Sequence, residues 1–133
     1  MKTWKKRVLI VDDEEDLTWS IVRGLSKDKS GVEVHCASSG SLALDLIHRH
    51  SYDLLVTDVR MPGLDGKGLV QRARSMHPGL KIILMTAFPS PDVREFAERF
   101  RISETVEKPF EMGEFRRLIG NHLETESASS GAA

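Results

Sequence analysis

The apolar positions of the chain fall in five short runs separated by amphipathic stretches. Val8-Leu9-Ile10-Val11, Leu54-Leu55-Val56-Thr57 and Ile82-Ile83-Leu84-Met85 are continuous, the pattern of strands covered on both faces. Val32-Glu33-Val34-His35-Cys36 alternates apolar with polar, and Thr105-Val106-Glu107 is short and half polar. Both suit the edges of a sheet, where one side stays wet. Helical spacing fills the gaps. Leu17, Ile21 and Leu25 repeat by four; Ala43, Leu46 and Ile47, and Leu69, Ala73 and Met76, repeat by three and four. Val93, Phe96, Ala97 and Phe100 follow Ser90 as N-cap and Pro91 at the first helical position. Met112, Phe115, Leu118 and Ile119 mark a last helix, weakened by Gly113 and Gly120, each by up to about 1 kcal/mol. Strand and helix alternate five times, which predicts an α/β fold: a doubly wound, five-stranded parallel sheet in a single domain. Right-handed crossovers, three interior strands and two edges fit the order 2-1-3-4-5. Residues 124–133 (ETESASSGAA) have no apolar period and read as a flexible tail or truncated linker. Residues 1–5 read as an N-terminal extension, and 6–123 as the domain.

Composition narrows the picture. A chain of 133 residues suits one domain. Nineteen basic side chains nearly balance twenty acidic ones, so there is no electrostatic footprint for nucleic acid or acidic lipid. The basic run Lys5-Lys6-Arg7 reads as solvated chain entering the first strand. Cys36 is the sole cysteine, which forbids an internal disulfide. Its place in the alternation suggests a small buried hydrophobe. No apolar run approaches the ~20 residues that span a bilayer, and no signal peptide is visible; the expected location is cytoplasmic.

The chemistry lies where the strands break. The first run ends at Asp12-Asp13, the third strand at Asp58, the fourth at Thr86, and Lys108 follows the fifth. In an open parallel sheet, ligands bind beyond the carboxyl ends of the strands, so these residues converge although they are far apart in sequence. Clustered carboxylates raise one another's pKa, and either a cation joins them or one is protonated. All-oxygen ligands of this kind suit Mg²⁺. Lys108 adds a point charge suited to a phosphoryl oxygen, and Thr86 a hydroxyl. A carboxylate beside a divalent cation, a lysine and a hydroxyl is the layout for an aspartyl-phosphate. As helix caps alone, Asp12 and Asp13 would leave Asp58 and Lys108 unexplained. Asp65-Gly66 reads as a turn and helix start. The five histidines show no ligand spacing; His48 and His50 lie two apart on a helix and do not face each other. Trp19 falls off the Leu17-Ile21-Leu25 stripe and reads as a partly exposed rim residue.

These four segments, "VLIVDDE", "LLVTDVRMPGLDG", "IILMTA" and "EKPF", in that order and each at an expected strand end, resemble the receiver domain of bacterial two-component response regulators. The likeness runs from residue 6 to about 123. It implies the flavodoxin-like receiver fold, whose strand order is the one inferred above, so the order is not independent support. It implies that Asp58 accepts a phosphoryl group from a phosphohistidine of a histidine kinase or histidine phosphotransfer domain. It implies Mg²⁺ held by Asp13, Asp58 and the backbone carbonyl of Arg60, with Asp12 acting through water, and phosphoryl oxygens bound by Thr86 and Lys108. The Lys108-Pro109 bond is often cis in the family. The output implied is a conformational change that regulates an effector protein or domain, or a homodimer formed on phosphorylation. Nucleic-acid binding by this domain and membrane association are not implied.

The chain departs from the family in two places. Thr105 stands three residues before the lysine, where most receivers carry an aromatic, and Arg101-Ile102 replaces the favoured Gly-Ala ahead of the last strand. Both lie on the surface that many receivers use for dimers or output. Two other function classes compete with the phosphorylated module. One is a receiver-like interaction module that no longer takes phosphate; the complete acidic and basic set argues against it. The other is a small Mg²⁺-dependent phosphohydrolase. That enzyme needs a general acid two residues after the nucleophile, where Arg60 stands and cannot donate a proton at neutral pH.

Overall fold

The computed structural model describes residues 6–26 and 31–132, and the side chains of 6–25 and 31–123. Lys5 and the expected extension 1–5 lie outside the described residues. Five strands, β1 (Lys6–Val11), β2 (Val32–Ala37), β3 (Leu54–Asp58), β4 (Lys81–Thr86) and β5 (Glu104–Glu107), alternate with five helices. These are α1 (Glu15–Ser26), α2 (Gly40–Arg49), α3 (Gly66–Met76), α4 (Pro91–Arg99) and α5 (Met112–Ala132). The strands form one parallel sheet in the order β2-β1-β3-β4-β5.

Period-two alternation along the strands splits the core into two layers. Leu9, Val11, Leu55, Ile82 and Leu84 point to one face, where Ala43 and Ile47 of α2, Leu69, Val70 and Ala73 of α3, and Val93 and Phe96 of α4 cover them. Val8, Ile10, Leu54, Val56, Ile83 and Met85 point to the other, under Ile21 and Leu25 of α1 and Phe115, Ile119 and Leu123 of α5. Both faces of β1, β3 and β4 are therefore dry, which is why their sequences are unbroken apolar runs. The edge strands β2 and β5 are only partly covered.

The helix starts follow capping chemistry. Ser90 accepts a hydrogen bond from the Val93 amide with Pro91 behind it, Asp65 accepts from Gly68, and Ser39 accepts from Leu42. Each satisfies one orphan amide of the first turn.

One expectation needs correction. Cys36 is exposed rather than buried. The alternation places it with Val32 and Val34 on the face covered by α1, but it sits near the end of an edge strand, beyond that cover, and lines an open groove with Trp19 and Val22. The helical backbone of α5 runs on to Ala132. An established helix extends without a new nucleation cost. No helix among the described residues is long and apolar enough to cross a membrane.

Candidate functional site

The sheet's main-chain pairing runs one step past the strand ends and aligns the polar residues that follow. The Asp12 amide donates to the Ala37 carbonyl (3.2 Å), Val59 to Met85 (3.0 Å) and Lys108 to Thr86 (2.8 Å). The Lys108-Pro109 peptide is cis. Asp12, Asp58, Thr86 and Lys108 thereby meet at one end of β1, β3, β4 and β5, with Asp13 beside them.

Oxygens of Asp12, Asp13 and Asp58 all lie within 4.8 Å of one another. Asp12 is fully buried and Asp58 nearly so, while Asp13 is exposed. The Lys108 ammonium bridges the group, 2.6 Å from Asp12 Oδ2, 3.1 Å from Glu14 Oε1 and 3.2 Å from Asp58 Oδ2. The other Asp12 oxygen accepts the Glu14 amide at 2.8 Å. Burial raises the Asp12 carboxyl above its ordinary value, and the hydrogen bonds from Lys108 and the Glu14 amide offset this only in part. Burial alone would pull Lys108 down. Its hydrogen bonds to Asp12 and Glu14, with the charges of Asp12 and Asp58, outweigh that and hold it above the ordinary lysine value. Lys108 is therefore an obligate cation at neutral pH.

Thr86 is buried, and its Oγ1 accepts the Phe88 amide at 3.0 Å. The hydroxyl proton remains to be donated, and the same atom moors the β4–α4 loop. Arg60, two residues past Asp58, is exposed, and its guanidinium carbon lies 5.6 Å from the centre of the Phe88 ring. The side chains after Asp58 and after Thr86 thus meet across the loops that flank the site.

The structure brings together every residue singled out from the sequence at the strand ends. It adds two that the sequence reading passed over. Glu14 is a third acid on Lys108; its only signal was a run of five acidic residues at 12–16. Gly66 was read as a turn residue. A Cβ there would overlap the Asp58 carbonyl oxygen and lie 2.8 Å from the Val59 Cα, so the start of α3 presses on the backbone of Asp58 itself.

The sequence and the fold are matched by known proteins. The family model of the response regulator receiver domain matches residues 8–120. The chain belongs to that family. Receivers are phosphoacceptor modules of two-component signalling, and this receiver is a signalling domain of that class. Its sequence is 33% identical over 110 residues to the DNA-binding transcriptional regulator NtrC of Klebsiella pneumoniae, covering 83% of this chain and 23% of that protein. The chain thus spans about a quarter of the length of such relatives. A CheY-like receiver domain protein from Methanospirillum hungatei JF-1 superposes with a TM-score of 0.87 at 25% identity, over 95% of this chain and 99% of the other. The response regulator TrrA of Thermotoga maritima, solved in complex with Mg²⁺ and a beryllium fluoride, superposes with a TM-score of 0.75 at 30% identity, over 88% and 98%.

Proposed function

We propose that this receiver takes a phosphoryl group onto Asp58 from the phosphohistidine of a histidine kinase or phosphotransfer domain, with Mg²⁺, in the cytoplasm. The observation that carries the reading is the Lys108 ammonium lying between the buried Asp12 and Asp58, with Asp13 open to solvent beside them.

The residues fit Mg²⁺. The donor set is all oxygen, the three carboxylates converge within 4.8 Å, and the exposed Asp13 gives an entry path. Asp13, Asp58 and the Arg60 carbonyl would hold the ion, with Asp12 acting through water. Bound there, Mg²⁺ would neutralise charge on the transferring phosphoryl group. TrrA, which was solved with Mg²⁺ and a beryllium fluoride, supports that choice.

The remaining steps belong to the chain. An Asp58 oxygen attacks phosphorus in line with the departing imidazole nitrogen, so a P–O bond forms as the P–N bond breaks. Lys108 already touches that carboxylate and turns to a phosphoryl oxygen as negative charge moves outward. Thr86 donates its hydroxyl proton to a second phosphoryl oxygen, and because it holds the Phe88 amide, its movement is passed to the β4–α4 loop. Water then attacks phosphorus, the Asp58 O–P bond breaks and inorganic phosphate leaves, which returns the site to its starting state; the domain catalyses its own phosphorylation and slow dephosphorylation and nothing further. The output goes to an effector protein or domain, or to a second copy, and not directly to nucleic acid. The test is transfer from a radiolabelled, phosphorylated histidine kinase. Label should pass to the receiver with Mg²⁺ and stay on the kinase when the metal is chelated; transfer that ignores chelation defeats the proposal.

A further inference from the structure

The phosphoacceptor loop, residues 59–65, is closed at its base by the Gly66 amide, which donates to the Val59 carbonyl at 2.9 Å. Its far end rests on a different element. Gly40, the buried first residue of α2, faces the backbone of Leu64. A Cβ on Gly40 would overlap the Leu64 carbonyl oxygen, lie 3.0 Å from its carbonyl carbon and 3.1 Å from its Cβ. The obstacle is main chain, which cannot swing aside as a side chain can. Ser39 caps the same turn through the Leu42 amide, so the turn that carries Gly40 is held in shape.

On the other side Gly68 approaches only the far end of the Leu64 side chain, whose Cδ1 would lie 2.7 Å from a Cβ at that position. Backbone contact runs without a gap from Gly40 to Leu64, through Asp65 to Gly66, and from Gly66 to the carbonyl of Asp58. Gly40 has no reacting or metal-binding group and belongs to a helix that contributes nothing to the acidic cluster. We infer that Gly40 is a positioning residue for phosphotransfer: it is the abutment that sets the height of the loop carrying the Arg60 carbonyl, and through Gly66 the place of Asp58. The inference rests on the phosphoacceptor reading above and deepens it.

Relieving the overlap of an added methyl requires a shift of about 1 Å, and a misplacement of that size at a reacting centre costs about a hundredfold in rate. If the loop is what moves, Gly40→Ala weakens Mg²⁺ binding as well as slowing phosphorylation. If α2 moves outward instead, stability falls and the site is untouched.

The experiment compares the wild type, Gly40→Ala and Gly79→Ala, the last a control where an added Cβ meets nothing within 4 Å. Mg²⁺ affinity is read by amide-shift titration, phosphorylation by acetyl phosphate at saturating Mg²⁺, and folding by the amide spectrum and Tm. The expected result for Gly40→Ala is a folded protein whose Mg²⁺ Kd rises about tenfold or more and whose phosphorylation rate falls by about ten- to a hundredfold; Gly79→Ala matches the wild type. A folded Gly40→Ala protein with lowered Tm but unchanged Mg²⁺ Kd and rate overturns the inference. Should Gly40→Ala not fold, the wild type decides: beryllofluoride addition must shift the amides of Ser39 and Gly40 together with those of 59–65, and silence at Ser39 and Gly40 overturns it. A wild type that takes neither Mg²⁺ nor phosphate condemns the phosphoacceptor reading instead.

Discussion

Replacing Phe88 by alanine should shorten the life of the aspartyl-phosphate. Hydrolysis needs a water in line with the Asp58 oxygen, and the route to it passes the loops that carry Arg60 and Phe88. The Phe88 ring is 66% exposed, so it adds little to folding stability. Its measurable interaction is with the Arg60 guanidinium at 5.6 Å. A cation–π contact at an exposed site contributes about 0.5–1 kcal/mol, which corresponds to roughly a two- to fivefold preference for the closed arrangement. The first-order loss of acyl phosphate should therefore quicken by about two- to fivefold in Phe88→Ala and in Arg60→Ala. The two side chains act as one cover, so the double variant should be no faster than the quicker single variant, a non-additivity that a double-mutant cycle reads directly. The assay follows phosphoprotein decay after rapid removal of acetyl phosphate. A Phe88→Ala rate equal to or slower than wild type, or fully additive effects, refutes the shielding argument.

Acid sensitivity should trace in part to β2. The His35 hydrogen bond at 2.7 Å is the main cause holding the Glu33 carboxyl below its ordinary value, with partial opposition from burial and help from the Arg7 charge. A depressed folded-state pKa means stabilisation that is present above about pH 4.5 and lost as pH falls through the folded value. Thermal unfolding across pH 3–6, roughly the carboxylate range, should show a shallower acid limb in Glu33→Gln than in wild type; parallel limbs would exclude this origin. Beryllofluoride should move the amides of residues 86–100 more than those of 104–119. Thr86 holds the Phe88 amide, whereas the exposed Thr105 lines an open groove with Val93 and Ile102 and has no ring to reach into it. A response centred on Thr105 and α5 with 88–100 silent would show that the usual route survives without the aromatic.

Much of this architecture was legible because burial on two faces leaves a distinctive trace. β1, β3 and β4 announce themselves as apolar runs, and each breaks at a polar residue where the dry core meets the site. Asp12, Asp58 and Thr86 could be found that way, since a buried strand has little structural use for a polar end; Lys108 follows the half-polar edge strand β5 and was legible only from its place after that strand. Edges were harder. Cys36 follows the alternation of β2, but alternation reports which face a side chain points to and not whether a helix reaches far enough to cover it. Gly40 and Gly66 look like ordinary helix-start glycines in one dimension; only the approach of Leu64 and Asp58 from distant segments gives them meaning. At Thr105 the one-residue departure from the family leaves an open groove beside α4.

The central claim is that Asp58 is the phosphoacceptor and that its chemistry depends on the acidic cluster and Lys108. The most direct measurement is to treat the protein with acetyl phosphate and Mg²⁺, trap the acyl phosphate by reduction, and map it by mass spectrometry in wild type, Asp58→Ala and Lys108→Ala. The account predicts one stable label, on Asp58, absent from Asp58→Ala, absent without Mg²⁺, and strongly reduced in Lys108→Ala. Undiminished labelling in Asp58→Ala, or a wild-type label mapping to Asp12 or Asp13, would contradict it.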